Sequence, residues 1–286
     1  MKIIKYFIES LFIIFLLIVF KILGLKFSSN LGSIVGGLLG PFFRSKNTII
    51  SNIKKALPEA EQKDIEIITK KMWKNYGRIL SEYVFIKNFR NSKDEKFFSV
   101  EGQEILNGIK NTNEPVIFIS GHFNNFELMA MQIEKSGINL AAIYRPLNNV
   151  FLNKIMERIR KKYICQKQIK KGRSGTRELL ESFKKNYSIA LMIDQRVSEG
   201  IKSDFFGQPA LTTTVPAQLV RKFGCKIVPV YIERIKSTFF KIKISKPIIY
   251  NKDSSIEEIT LDLNKWLEKM ILNNPSQWIW SHNRWK

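Results

Sequence analysis

The chain has 286 residues, 44% of them hydrophobic, which is enough for one sizeable α/β domain with an appendage. Its net charge of +22 predicts an anionic partner: nucleic acid, a phospholipid surface or an acidic carrier protein. Cys165 and Cys225 cannot form a disulfide framework, and with only two histidines they make no zinc pattern. Glycine motifs for nucleotide phosphates are also missing, so we expect no metal and no cofactor.

The first predicted element is an N-terminal apolar segment. Residues 7–25 are almost wholly apolar, and a helix over this range is about 28 Å long, close to the hydrocarbon thickness of a bilayer. A cleaved signal peptide is the alternative, but no clear small-residue cleavage site follows. We therefore predict a retained membrane anchor. The glycine-rich run 31–43 predicts a surface-lying or tightly packed segment rather than a second span.

Two helices are predicted between this segment and the rest of the chain. Residues 47–56 are basic and amphipathic, and residues 63–84 repeat apolar side chains at helical spacing. We interpret residues 1–45 as a membrane anchor with an interfacial segment, residues 46–92 as a helical pair, and residues 93–286 as an α/β domain.

From residue 97 onward, predicted strands alternate with predicted helices. The strands lie at residues 97–102, 116–119, 139–144, 188–193, 226–232 and 238–244, and the helices at 126–135, 151–163, 175–185, 215–223 and 256–272. Residues 164–174 predict a basic strand or loop, and residues 194–214 a long loop. This alternation predicts a mixed, mostly parallel sheet flanked by helices.

The motif that carries chemistry follows the apolar run 116–119. His122 comes after Ser120-Gly121, at the carboxyl end of a predicted buried strand, where open α/β sheets bind their ligands. Glu127 begins the next helix, and the bend at Gly121 allows the two side chains to meet. We expect Glu127 to accept the Nδ1 proton of His122, leaving Nε2 as a general base. A core histidine tied to a carboxylate is the structural alternative.

The spacing His-x-x-x-x-Glu resembles the signature of the glycerolipid acyltransferase superfamily, in its branch of late acyltransferases of lipid A biosynthesis. That branch has Glu where most of the superfamily has Asp. The resemblance extends over nearly the whole chain, through residues 144–146 (Tyr-Arg-Pro), 194–196 (Asp-Gln-Arg), 205–210 (Phe-Phe-Gly-Gln-Pro-Ala), 277–280 (Gln-Trp-Ile-Trp) and 284–286 (Arg-Trp-Lys). One departure is Asn124, where many relatives carry Gly.

Further site residues lie in or near these segments. Arg145, after a predicted strand, and Arg160, which the resemblance assigns to the site, are candidates for stabilising an oxyanion. Solvated or phosphate-facing charges are the alternative for both. Asp194 ends the run 188–193 in a position equivalent to that of His122, which favours a site role over that of a turn residue. The resemblance supports such a role, and we expect Asp194 to bind substrate, by orienting a sugar hydroxyl, or to orient a base. The resemblance also implies that Gln195 and Asn125 bind substrate.

The carboxyl-terminal segment is rich in tryptophan and basic residues. Aromatic and basic side chains together favour a membrane–water interface, so Trp280, Arg284, Trp285 and Lys286 predict such a contact. His282 lies among them, and we expect it to pack with the tryptophans rather than to catalyse.

The resemblance implies a membrane enzyme that transfers a fatty acyl chain from acyl carrier protein, or from coenzyme A, to a hydroxyl of a lipid A precursor. The basic stretch 154–177 suits an acidic carrier protein or a phosphorylated acceptor. We expect the catalytic domain to face the cytoplasm at a bacterial inner membrane. Another glycolipid acceptor, such as a phosphatidylinositol mannoside, and a lysophospholipid are alternatives. A non-enzymatic polyanion-binding module is the third, but no nucleic-acid motif accompanies the charge, so we expect no nucleic acid.

Overall fold

The computed structural model describes residues 2–92 and 94–286. The helices are α1 (Lys2–Leu23), α2 (Leu25–Leu39), α3 (Lys46–Ala56), α4 (Gln62–Glu82), α5 (Ile86–Asn91), α6 (Asp94–Phe97), α7 (Gln103–Thr112), α8 (Glu127–Lys135), α9 (Val150–Tyr163), α10 (Arg173–Lys184), α11 (Val215–Phe223) and α12 (Ile256–Asn273). The strands are β1 (Phe98–Glu101), β2 (Ile117–Ser120), β3 (Leu140–Tyr144), β4 (Lys167–Lys170), β5 (Ser188–Met192), β6 (Ile201–Phe205), β7 (Gln208–Thr212), β8 (Ile227–Lys236) and β9 (Phe239–Ile244).

Seven strands form the central sheet in the order β1-β9-β8-β2-β5-β3-β4. All neighbours are parallel except β8 and β9, which pair antiparallel. This confirms the predicted mixed, mostly parallel sheet with helical flanks. Strand β2 lies in the middle, and all four of its residues are buried, which explains why it is a continuous apolar run in the sequence.

The predicted long loop 194–214 contains an antiparallel hairpin of β6 and β7, so the loop prediction was wrong. Phe206 and Gly207 both have positive φ, at 56° and 70°, as the two central residues of a tight hairpin turn require. The hairpin is held from outside the strands: Asn264 of α12 donates to the carbonyl of Asp204 and to the hydroxyl of Thr212. Its strands are only five residues long and mix polar and apolar residues without a clean alternation, which hid them in the sequence.

Helix α2 packs against α4 through glycines, which confirms the prediction of a tightly packed segment. A Cβ on Gly77 would lie 1.8 Å from the carbonyl oxygen of Gly32, and a Cβ on Gly36 would lie 2.5 Å from the carbonyl of Trp73. Backbones this close leave no room for a side chain at the crossing. The division of the chain after residues 45 and 92 stays a prediction. Polar contacts join the predicted parts: Asn52 of α3 donates to the carbonyls of Trp280 and His282.

Much of the carboxyl-terminal segment is part of the core, so the predicted membrane contact was wrong for Trp280 and Arg284. Trp285 is partly exposed and Lys286 is exposed, and for these two residues the contact stays a prediction. Trp278, Trp280 and Arg284 are almost fully buried. Arg284 donates to the carbonyl of Leu211 and the hydroxyl of Thr212, both on β7. Burial lowers the pKa of the Arg284 guanidinium to about 10. These contacts fasten the β6–β7 hairpin to the end of the chain, and this packing takes Trp278 and Trp280 away from solvent.

Candidate active site

Parallel strands β2 and β5 bring two polar side chains to the same edge of the sheet. The strands pair in register up to Ser120 and Met192, and His122 and Asp194 each follow two residues beyond that pair. A Cβ on the intervening Gly121 would lie 2.9 Å from both Leu267 and Phe123 and 3.3 Å from Asp194. The glycine therefore allows the backbone to turn close to the carboxylate.

The Asp194 carboxylate is completely buried and orients His122. Its Oδ1 lies 2.8 Å from His122 Nδ1, and its Oδ2 accepts hydrogen bonds from the His122 backbone N–H at 2.7 Å and from Trp278 Nε1 at 2.9 Å. A carboxylate acceptor at Nδ1 places the proton on that nitrogen and leaves Nε2 as an acceptor. Nε2 lies 3.4 Å from the amide nitrogen of Gln195. An imidazole held in this way can accept a proton from a hydroxyl group.

The pKa of His122 is raised above its ordinary value. Burial alone would lower the pKa of His122, but the charge and hydrogen bond of Asp194, with a further contribution from Glu127, outweigh that effect. The pKa of Asp194 is correspondingly low: burial favours its neutral form, and the charge of His122 with the hydrogen bonds from His122 and Trp278 favours the carboxylate more strongly. The pair therefore stabilises a protonated imidazole.

The predicted hydrogen bond between His122 and Glu127 was wrong. Glu127 Oε1 accepts from Arg160 Nε at 2.8 Å and from Arg160 Nη2 at 2.5 Å, and both side chains are about nine-tenths buried. The reason is tertiary: β5 places Asp194 against Nδ1, while α9 places a guanidinium against the first residue of α8. A catalytic role for Glu127 stays a prediction, and its charge still acts on His122 through space.

Arg145 follows β3 at the same edge and is exposed to solvent. The side chain of Arg160 also stacks over the ring of Tyr144, whose hydroxyl donates to Glu157. Arg160, which the family resemblance assigned to the site, is in direct contact with Glu127. The roles in binding substrate stay predictions for Arg145, Arg160, Asp194 and Gln195.

The two asparagines after His122 shape the loop. Asn124 has φ +44°, in the left-handed region that asparagine tolerates and that glycine adopts freely, so this backbone also suits the Gly that the resemblance implies at this position. Its backbone N–H donates to the carbonyl of Gln277, and its side-chain amide donates to the Gln277 side chain. Asn125 is fully buried and donates to Glu82 at 3.1 Å, so its predicted contact with substrate stays a prediction.

A buried ion pair behind the loop was not predicted from the sequence. Glu82, at the end of α4, accepts two hydrogen bonds from Arg234 of β8, at 2.6 and 2.9 Å. Ser29 of α2 donates to the same carboxylate at 2.8 Å, as does Asn125. Glu82 is a single acidic residue at the end of a predicted helix, and nothing in the local sequence indicates that Arg234 is its partner. Trp278, which donates to Asp194, is different, because it lies in a segment that the family resemblance includes.

Within the described ranges, 2–92 and 94–286, no group of three or more His, Cys, Asp or Glu side chains is placed to hold a metal ion. The carboxylates at the site are occupied by histidine, tryptophan and arginine donors. The arrangement is suited to taking a proton from a hydroxyl group and to stabilising negative charge nearby.

The chain is 23% identical over 261 residues to the lipid A biosynthesis palmitoleoyltransferase of Escherichia coli strain K12, covering 90% of this chain and 84% of that protein. It is 23% identical over 271 residues to the lipid A biosynthesis lauroyltransferase of the same strain, with the same coverage of each chain. Among solved structures, it is similar to the 1-acyl-sn-glycerophosphate acyltransferase of Thermotoga maritima, with a TM-score of 0.43 and 15% identity over 87% of this chain and 98% of that one. The family model described as bacterial lipid A biosynthesis acyltransferase matches residues 1–286. The chain therefore belongs to the bacterial lipid A biosynthesis acyltransferase family.

Proposed function

We propose that this acyltransferase of lipid A biosynthesis moves a fatty acyl group from acyl carrier protein, or from coenzyme A, to a hydroxyl of a lipid A precursor, with His122 as the general base. Family membership supports acyl transfer in this pathway. The observation that carries the catalytic assignment is the buried Asp194 carboxylate, which holds Nδ1 of His122 and leaves Nε2 available.

The reaction needs one proton acceptor and no acyl-enzyme, because a thioester is already activated. His122 Nε2 takes the proton of the acceptor hydroxyl as its oxygen attacks the thioester carbonyl carbon. The tetrahedral intermediate then loses its C–S bond, and the departing thiolate takes the proton from Nε2. The products are the ester and a free thiol, and His122 is neutral again. Asp194 stabilises the imidazolium between the two transfers.

Negative charge develops on the carbonyl oxygen during this attack and needs a donor. Arg160 and Arg145 are our candidates. Nη1 of Arg160 is buried and makes no hydrogen bond of good geometry among the described residues, although the Tyr83 hydroxyl lies close enough to interact with the guanidinium, while Nε and Nη2 hold Glu127. We assign Glu127 the role of fixing this guanidinium beside the site, and we assign Gln195 to the acceptor hydroxyl because its amide faces His122 Nε2.

The donor-binding surface that we propose is basic. Exposed lysines and arginines continue from α9 onto β4 and beyond: Lys154, Arg158, Lys161, Lys162, Lys170 and Lys171. Acyl carrier protein is acidic, so this surface supports it as the donor. Membrane attachment through α1, with the catalytic domain on the cytoplasmic side of an inner membrane, would bring this donor and the lipid acceptor together.

We predict that reversing the charge of Lys161, Lys162 and Lys170 raises KM for acyl carrier protein thioesters and weakens the salt dependence of the rate. The measurement is initial rate against donor concentration at two ionic strengths. The matched donor is an acyl-pantetheine, which lacks both the protein and the nucleotide phosphates, and its KM is expected to stay unchanged. If the variant and the parent have the same KM and the same salt dependence with the carrier protein, this surface does not bind the donor.

We predict that His122→Ala lowers kcat by at least about a hundredfold, since a positioned base contributes on that scale. Transfer of a labelled acyl group to a purified lipid A precursor measures it. The variant should keep its membrane binding and its thermal transition. A non-enzymatic polyanion-binding protein would be indifferent to the change, so retained transfer would refute the catalytic assignment.

The acceptor is best identified by mass spectrometry of lipid extracts from cells with and without the gene. Loss of one acyl chain from lipid A supports the proposal and gives the chain length. A change confined to another glycolipid or to a lysophospholipid would replace the acceptor while keeping the chemistry.

A further inference from the structure

Helix α1 contacts the rest of the protein near both of its ends. Near its start, the amide of Asn149 donates to the carbonyl of Tyr6 at 2.8 Å, and Phe7 packs edge-on against Phe151 of α9 at 5.6 Å. Near its end, Lys21 donates to the carbonyl of Val84 at 3.4 Å. These contacts are about 22 Å apart along the helix axis, at 1.5 Å per residue. The helix therefore lies along the folded domain rather than projecting from it.

The two sides of α1 differ in what they contact. Ser10 and Phe20 are buried against the protein. On the opposite side, large apolar residues are exposed at helical spacing: Ile4, Ile8, Leu11, Phe15, Ile18 and Ile22. By length and composition alone this is the one described helix that could cross a membrane. The domain contacts α1 mainly near its two ends, and most of its apolar side chains stay at least partly exposed, so this exposed side is what the helix offers to lipid.

Charged residues beside both contacts argue against a perpendicular orientation. Lys154 is exposed one turn beyond the contact on α9, and Lys87 is exposed one turn beyond Val84. If α1 followed the bilayer normal, one of these positions would lie within the hydrocarbon, where a charged side chain is strongly disfavoured. If α1 lies parallel to the surface, neither lysine has to enter the hydrocarbon.

The α/β domain continues the apolar surface of α1. Leu147, Val150 and Ile155, at the start of α9, are exposed beside the contact with Tyr6 and Phe7. This part of the chain follows β3, at the same sheet edge as His122. We infer that α1 lies in the plane of the membrane surface and that its outer side, together with Leu147, Val150 and Ile155, embeds in one leaflet, so that the protein is monotopic.

A topology experiment separates this arrangement from a spanning helix. Lys2→Cys and Lys252→Cys are each made in a full-length Cys225→Ser background, since Cys165 is buried and Cys225 is partly exposed. Spheroplasts are treated with a membrane-impermeant maleimide, before and after lysis in detergent. We expect neither variant to be labelled before lysis and both to be labelled after it. Labelling of Lys2→Cys alone in intact spheroplasts would overturn the inference.

Labelling of both variants before lysis would keep the monotopic arrangement and refute the cytoplasmic orientation proposed above. This test is independent of catalysis, because it requires no substrate and no active-site residue. Its failure therefore leaves the acyl-transfer mechanism in place, and the failure of that mechanism leaves the topology in place.

The contribution of the domain is tested on vesicles of phosphatidylethanolamine with a minor fraction of phosphatidylglycerol. Val150→Glu should lower the partition coefficient about tenfold, because it removes a valine's worth of buried apolar surface. Ile249→Glu is the matched control, since Ile249 is even more exposed but lies next to the β8 side of the sheet, outside this surface. If both variants partition equally, the start of α9 is not part of the surface that embeds in the membrane.

Discussion

At His122, one buried carboxylate decides which ring nitrogen carries the proton. Asp194 accepts hydrogen bonds from the backbone N–H of His122 and from Trp278, and it lies against Nδ1 of His122. Its position is therefore overdetermined, and the imidazole has one favoured orientation. Glu127, which the motif pairs with His122, instead holds Arg160.

We predict that Asp194→Asn lowers kcat/KM by about a hundredfold to ten-thousandfold, because the asparagine no longer favours the Nδ1 proton. His122 must be neutral to act as a base, so its raised pKa makes the rate fall as the pH drops through a value above about 6.5. Removing the Asp194 charge lowers the pKa of His122 and moves this acidic limb to lower pH. The pH profile of kcat/KM measures both effects.

Glu127→Gln is the matched comparison for that profile. Its charge contributes less to the pKa of His122 than that of Asp194, so the acidic limb should move by a smaller amount. If Glu127→Gln moves the acidic limb of the pH profile further than Asp194→Asn does, the result would support the pairing of His122 with Glu127 that the motif suggests.

At the scale of elements, glycines set how closely α2 and α4 approach. We predict that Gly77→Ala destabilises the protein by about 1–3 kcal/mol, because its Cβ has no space next to Gly32. Thermal unfolding in detergent, followed by circular dichroism, measures this. Gly108→Ala on α7 is the control, since a Cβ there meets no atom within 4 Å, and alanine should stabilise that helix by about 0.5–1 kcal/mol.

A stabilised Gly77→Ala variant would mean that helix propensity, and not close packing, dominates at the crossing. The control makes this distinction possible, because the two substitutions are chemically identical and differ only in their surroundings.

At the scale of the whole molecule, the pair of Glu82 and Arg234 joins the N-terminal helices to the sheet and to the loop after His122. Glu82 is completely buried and Arg234 is 8% exposed. We predict that Glu82→Gln costs about 3–5 kcal/mol of stability, because it leaves a buried guanidinium uncompensated. Urea unfolding of the detergent-solubilised protein measures the loss.

The double variant Glu82→Gln/Arg234→Gln should recover part of this stability, since neither charge is then buried alone. If the stability lost in the double variant equals the sum of the losses in the two single variants, the pair does not act as a unit. Recovery would support a direct link between the N-terminal helices and the loop after His122.

Local pattern in the sequence predicted most elements and the sheet class. Apolar periodicity indicated β2, β5 and α12, and the strand ends at His122 and Asp194 marked the edge that carries the site. These features depend on neighbours in sequence, so one chain suffices to find them. The glycine run at residues 31–43 likewise predicted the close packing of α2.

Only the tertiary structure decided the partners. The spacing of His122 and Glu127 permits a contact. However, β2 pairs with β5, and this pairing places Asp194, and not Glu127, against Nδ1 of His122. Glu82 and Arg234 are far apart in sequence, and Arg284 looks like a terminal surface charge until β7 packs against it. Hydrogen-bond and ion partners follow from which strands and helices become neighbours, and that is settled by packing of the whole chain rather than by local pattern.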